Sequence, residues 1–144
     1  MASVTFTKFN TVGLYLGQAA FNFPSDTLKV MLTNVQPLAT NALKADITEI
    51  AAGNGYVAGG NVASLVSWSQ SGGVAKLVLN SPSIWTASGG TIASHRWAVL
   101  YDDTPTSPLK PLLGYMDYTI SSSEGIGETF EVDFDPTGGV FAIA

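Results

Sequence analysis

The chain has 144 residues, a length for one ordinary domain, and a chain of this size buries roughly 68–70% of its unfolded surface, so it needs no metal or disulfide staple. Hydrophobic residues make up 46%, a globular value, but charged residues only 12%, against about 25% in a typical soluble domain. The net charge of −5 and isoelectric point near 4.5 argue against nucleic acid or an anionic membrane as a partner, and the absence of cysteine excludes disulfides, thiolate metal sites and a cysteine nucleophile.

An apolar content this high argues against disorder, so Ser, Thr, Asn, Gly and Ala must cover much of the surface. Such a surface repels its neighbours weakly. It suits a protein packed against other subunits.

The first stretch, MASVTFTKFNTVGLYLGQAAF, has no basic region ahead of an apolar core, and Lys8 and Asn10 interrupt it; no signal peptide is expected. Val4 and Phe6 alternate with Thr5 and Thr7, as in a strand. VGLYLGQAAF suits a short helix weakened by Gly13 and Gly17. Residues 1–20 therefore form either a projecting arm, with Phe6, Phe9 and Tyr15 as its contacts to other subunits, or the first strand of the sheet.

From residue 21 onward period-two alternation dominates. In TLKVMLT, Leu28, Val30 and Leu32 oppose Thr27, Lys29 and Thr33, predicting one dry and one wet face. ADITEI carries Asp46 and Glu49 at capping-box spacing, but the glycines at 53 and 55 allow at most a turn or two of helix. QSGGV separates SLVSW from AKLVLN and predicts a hairpin, with Gly72 and Gly73 free to take positive φ. ASGGT separates SIW from IASHRWAVLY. Three prolines within DDTPTSPLKP forbid a central strand and force a loop. In TFEVDF, Phe130, Val132 and Phe134 oppose Thr129, Glu131 and Asp133, and DPTGGV then leads into FAIA. About eight strands at this spacing predict an all-β fold over residues 21–144. The expected architecture is an antiparallel β-sandwich, jelly-roll or Greek-key, with little helix. No apolar run approaches the length of a membrane-spanning helix.

The chemistry-bearing residues are few. Asp102 and Asp103 end the strand VLYDDTP; as neighbours on an extended chain they point to opposite faces and cannot address one reacting atom. Asp followed by Thr-Pro is turn chemistry, because the carboxylate bonds backbone N–H groups two residues on. The alternate-acid spacing of a calcium loop is absent. His95 is the only histidine and Ser94 is its neighbour, the wrong geometry for a Ser–His pair on a strand; multi-histidine zinc sites are excluded. GNGYVAGGN lacks the ending and the strand-then-helix setting of a phosphate loop, and predicts a sharp loop with Tyr56 tucked beneath it. Trp97 lies in a near-continuous apolar strand and is expected in the core, whereas Trp85, before a turn, is a candidate exposed aromatic for glycan binding. Glu124, Glu128, Glu131, Asp133 and Asp135 predict a solvated acidic face. No catalytic, cofactor-binding or metal site is assigned, and the chain is expected to be non-enzymatic.

Five stretches in order, FNFPSDTLKVMLT (21–33), ADITEIAAGNGYVAGGN (45–61), WTASGGTIASHRWAVLYDDT (85–104), KPLLGYMDY (110–118) and DPTGGVF (135–141), resemble a family of small structural proteins of tailed bacteriophages. The resemblance implies a β-sandwich in a virion accessory role. The commonest such role is a capsid decoration (cement) protein, made in the host cytoplasm and bound to the outer face of the head; some relatives belong to the tail. It implies the major capsid protein as partner, a homo-oligomer with a trimer as the expected form, and no catalytic residue.

Overall fold

The computed structural model describes residues 4–143. Among them are ten strands, paired antiparallel throughout, and one α-helix of six residues. The strands are β1 (Phe6–Lys8), β2 (Leu28–Thr33), β3 (Asn61–Val62), β4 (Leu65–Ser71), β5 (Val74–Leu79), β6 (Trp85–Thr86), β7 (His95–Asp102), β8 (Leu112–Ser122), β9 (Thr129–Phe130) and β10 (Phe141–Ile143); the helix α1 spans Val12–Gly17. No helix among the described residues is long and apolar enough to cross a membrane.

The strands form a five-stranded sheet in the order β1-β8-β7-β2-β3, a three-stranded sheet β10-β5-β4 and a two-stranded ribbon β6-β9. One hydrophobic core joins all three: Val30 and Leu32 from β2, Leu100 from β7, Leu77 and Leu79 from β5, and Trp85 and Phe130 from the ribbon. Phe6 of β1 stacks on Phe141 of β10 with ring centres 6.1 Å apart, so the two larger sheets meet through an aromatic pair. The molecule is thus the all-β sandwich expected. It has more strands than the predicted eight because β3, β6 and β9 have two residues each, too short for a periodic signal.

The predicted hairpin is β4–β5, turning at Gly72 and Gly73, both at positive φ. Along 129–134 burial alternates as expected, with Phe130, Val132 and Phe134 buried, although only Thr129 and Phe130 enter a ladder. The expectation of one wet face fails in β2. Met31 and Thr33 are as buried as Val30 and Leu32. β2 is an inner strand between β7 and β3, and the long connection from 34 to 60 folds back along it: the Thr33 hydroxyl donates to the Thr48 carbonyl and the Ile50 amide to that of Leu32.

The N-terminal segment, from Val4 on, is not an arm. β1 pairs with β8 in the register Phe6↔Met116, Thr7↔Tyr115 and Lys8↔Gly114. Phe9 is fully buried, its ring 5.3 Å from that of Tyr115, and Tyr15 packs edge-on against Phe21 at 6.3 Å. Gly114 explains part of this docking: a side chain there would overlap the Phe6 ring. The proposed contact residues Phe6, Phe9 and Tyr15 therefore belong to the domain itself. Residues 1–3 of the supposed arm lie outside the described residues.

Candidate functional site

A cluster of charged groups gathers where β2 begins and β7 ends, beside the connection from 34 to 60. Asp102 and Asp103 part as strand geometry requires. Asp103 lies between two ammonium groups, 3.1 Å from Lys29 and 2.7 Å from Lys110. Burial works against its charge, but the hydrogen bonds from Lys110 and Lys29 outweigh it and hold the carboxyl below the usual carboxylate range. Asp102 points inward and is fully buried. Its Oδ1 accepts the Thr104 amide at 3.1 Å, the local turn bond expected from the sequence, while its Oδ2 meets no donor among the described residues. Burial first, then a hydrogen bond shared with Asp26, pushes its acid up to about 8. In this pairing with the half-buried Asp26, burial favours the protonated form of Asp102.

Glu49 is the hub of the neighbouring network. Its Oε1 accepts the Tyr56 hydroxyl at 2.6 Å and the Gly59 amide at 2.5 Å, and its Oε2 pairs with Lys44 at 3.1 Å. The Tyr101 hydroxyl donates to the Gly59 carbonyl at 2.7 Å, and the Lys44 ammonium stands 5.6 Å from the centre of the Tyr101 ring. Burial raises both Tyr56 and Tyr101, so both phenols stay neutral donors. The glycine loop is thereby fastened down on the sheet. Gly60 sits at φ +78° against the Val30 carbonyl, where any side chain would collide. The Gly59 amide, which a phosphate loop would offer to a ligand, is taken by Glu49.

Beside this network lies an open cleft of about 410 Å³. Leu43 and Ile47 form one wall and Leu109 the other, with Lys44, Lys110 and Glu49 around them. Its walls are tied together by backbone bonds from Lys44 to the Lys110 carbonyl and from Leu112 to the Ala42 carbonyl, both 2.9 Å. The 3-10 turn Lys44–Asp46 that shapes one wall is capped by Asp46, whose Oδ2 accepts the Ala42 and Leu43 amides. Those two amides hold its carboxyl below the usual range.

His95 lies at the start of β7, opposite Ser122 of β8, and is buried. Its Nδ1 is 3.0 Å from the Ala93 carbonyl and its Nε2 is 3.5 Å from Glu124 Oε2. The ring packs edge-to-face on Phe130 at 4.5 Å. Both ring nitrogens face acceptors, so neither is placed to take a proton from a serine. Glu124 corrects the expectation of a solvated acidic face: it is buried as the partner of His95. Nor is Trp85 an exposed aromatic. It is 1% exposed, paired with Phe130 in the ribbon and stacked on Tyr56 at 6.3 Å. Trp97 is buried, as expected. Among the described residues no three His, Asp or Glu side chains are grouped to hold a metal.

The sequence named Asp102 and Asp103 but missed Glu49 as a hub and Lys44 and Lys110 as cleft walls. The one signal available was the clustering of Pro105, Pro108 and Pro111 around Lys110 in the loop before β8. No protein-family model matches this chain, and neither a curated protein nor a solved structure matches it significantly.

Proposed function

We propose that this chain is a non-enzymatic structural protein of a bacteriophage virion, a decoration (cement) protein bound to the outer surface of the head. The observation that carries the proposal is the surface. Only 12% of the residues are charged, and large aliphatic side chains stand well out of the fold: Ile120 at 74%, Ile126 at 73% and Val57 at 68% exposure. Such a surface packs against neighbours with little charge repulsion and little desolvation cost. The family resemblance in the sequence supplies the setting.

In this reading the partners are the major capsid protein and further copies of the chain, as a trimer on a local three-fold. Each bound copy favours the assembled shell by mass action, and many weak contacts add up. The clamp is made by the rigid body of the sandwich rather than by a flexible N-terminal arm. The alternative, a tail- or fibre-associated domain that binds a host receptor or glycan, rested on an exposed Trp85. The burial of that ring removes its main motive.

Antibody labelling of virions under the electron microscope tests the proposal. Dense label over the head, at a copy number close to that of the capsid protein, is the expected result. Label confined to the tail transfers the chain to the alternative, and intact virions without label overturn both.

A further inference from the structure

We propose that the free edge of β4 pairs with β4 of a second copy of this chain, antiparallel across a two-fold axis, so that two three-stranded sheets continue as one of six strands. Such a contact closes on a pair. It is therefore separate from the trimer contact proposed above and does not rest on the virion role.

The backbone argues for a strand as the occupant. β4 pairs with β5 on one side only, and its other edge has no backbone partner among the described residues. It is the longest of the sheet edges described, with seven residues against three in β1 and β10 and two in β3. Its two-residue turn fixes which groups are free. Gly72 and Gly73 both take positive φ, as a primed turn requires, so the closing pair Ser71–Val74 exchanges both of its bonds. Alternation then directs the amides and carbonyls of Ser69 and Ser67 to β5, and those of Gln70 and Trp68 to the free edge. Edge strands are commonly blunted by Lys, Pro or a bulge. LVSWSQS has neither Lys nor Pro, and its bulge lies at the start, between Leu65 and Ser67, which leaves Ser67–Ser71 regular.

Position and charge argue for a second copy. The Phe6–Phe141 stack brings β1 and β10 together at one flank of the sandwich, so β3 and β4, the far ends of the two larger sheets, share the other. Ala63 and Ser64 cross between them, the Ala63 amide donating to the Leu28 carbonyl and the Ser64 carbonyl accepting the Asn80 amide. Residues 50–75, which include both edges, hold no Asp, Glu, Lys or Arg. A chain of net charge −5 repels its copies in most approaches, but two-fold pairing at β4 sets this uncharged run against itself. Val62 and Val66, at 49% and 56% exposure, stand on that flank and supply apolar surface for the contact to cover. Antiparallel pairing is what a two-fold axis gives a strand that meets its own copy, and it is the pairing every described ladder of this fold uses.

The test combines sedimentation of the purified full chain with hydrogen exchange read residue by residue by NMR. The parent should sediment as pairs of copies. Its Trp68 and Gln70 amides should gain protection as concentration rises, while those of Ser67 and Ser69 are protected throughout. Val66→Lys puts a charge at an exposed position of the edge, and Ser69→Glu does so opposite Lys76 of its own sheet. Each should raise the dissociation constant of the pair about tenfold, with the rest of the spectrum unchanged. A parent that stays a monomer at every concentration overturns the inference, and so does a trimer without pairs. A pair whose Trp68 and Gln70 amides exchange freely, or one that both variants leave intact, overturns it as well, because the contact then lies elsewhere. Pairing through β4 by a chain that labels no virion would leave this contact standing and remove the virion role.

Discussion

The Tyr56 hydroxyl donates to Glu49 at 2.6 Å while accepting the Leu32 amide at 3.0 Å. One buried phenol thus links the glycine loop, the 34–60 connection and strand β2. Tyr56→Phe keeps the ring against Trp85 but strands the Leu32 amide and takes one donor from Glu49. A buried donor left without a partner costs about 1–3 kcal/mol, so we expect the variant to unfold at lower urea with an unchanged denaturant slope. Unfolding indistinguishable from the parent would mean that water replaces the phenol and that the loop is fastened by Tyr101 and by the Gly59 amide bond to Glu49.

The burial of Phe9 sets a second expectation. A projecting arm would tolerate truncation there, whereas a core ring would not. Phe9 is fully buried against Tyr115 within the main core. Phe9→Ala should lower stability by about 3–5 kcal/mol, the range for an aromatic ring removed from a packed core. Thr5→Ala, an exposed position in the same segment, should change it by less than about 0.5 kcal/mol. Equal, small effects at both positions would make the segment a projecting arm after all.

Features set by short periodicity are legible in the sequence. The alternation in TFEVDF, the Gly-Gly hairpin and the turn at Asp102 are local, governed by neighbours within a few residues, and each is found. Features that depend on distant segments meeting are hidden. Lys29 reaches Asp103 only when β2 pairs with β7, and Leu32 reaches Tyr56 only after the connection from 34 to 60 has folded back along β2. The same fold-back buries Met31 and Thr33 on the face that alternation marks as wet. Glu124 looks like one more solvated acid, and only the approach of His95 gives it a buried partner. Trp85 is ambiguous in sequence because a two-residue strand carries no period; its pairing with Phe130 decides the matter. The cleft walls come from two loops more than sixty positions apart, joined by backbone bonds that no side-chain pattern announces.

The Asp102–Asp26 pair makes stability depend on pH. The acid of Asp102 is raised to about 8 by burial and by its bond to Asp26, from an ordinary value of 3.8. Between about pH 4 and pH 8 the folded chain therefore holds a proton that the unfolded chain has lost. The unfolded state binds fewer protons in that window, so this group's contribution falls as pH rises, by up to about 1.4 kcal/mol per pH unit for one proton. It is fully present below about pH 4 and gone above about pH 8. Asn in place of Asp102 mimics the protonated acid: its oxygen accepts the Thr104 amide and its NH₂ donates toward Asp26. Asp102→Asn should thus be close to the parent near pH 4 and gain on it steadily up to pH 8. Urea unfolding of both proteins at several pH values between 4 and 9 reads the difference directly. Parallel curves would mean that Asp102 is ionised in the folded chain and that it shares no proton with Asp26.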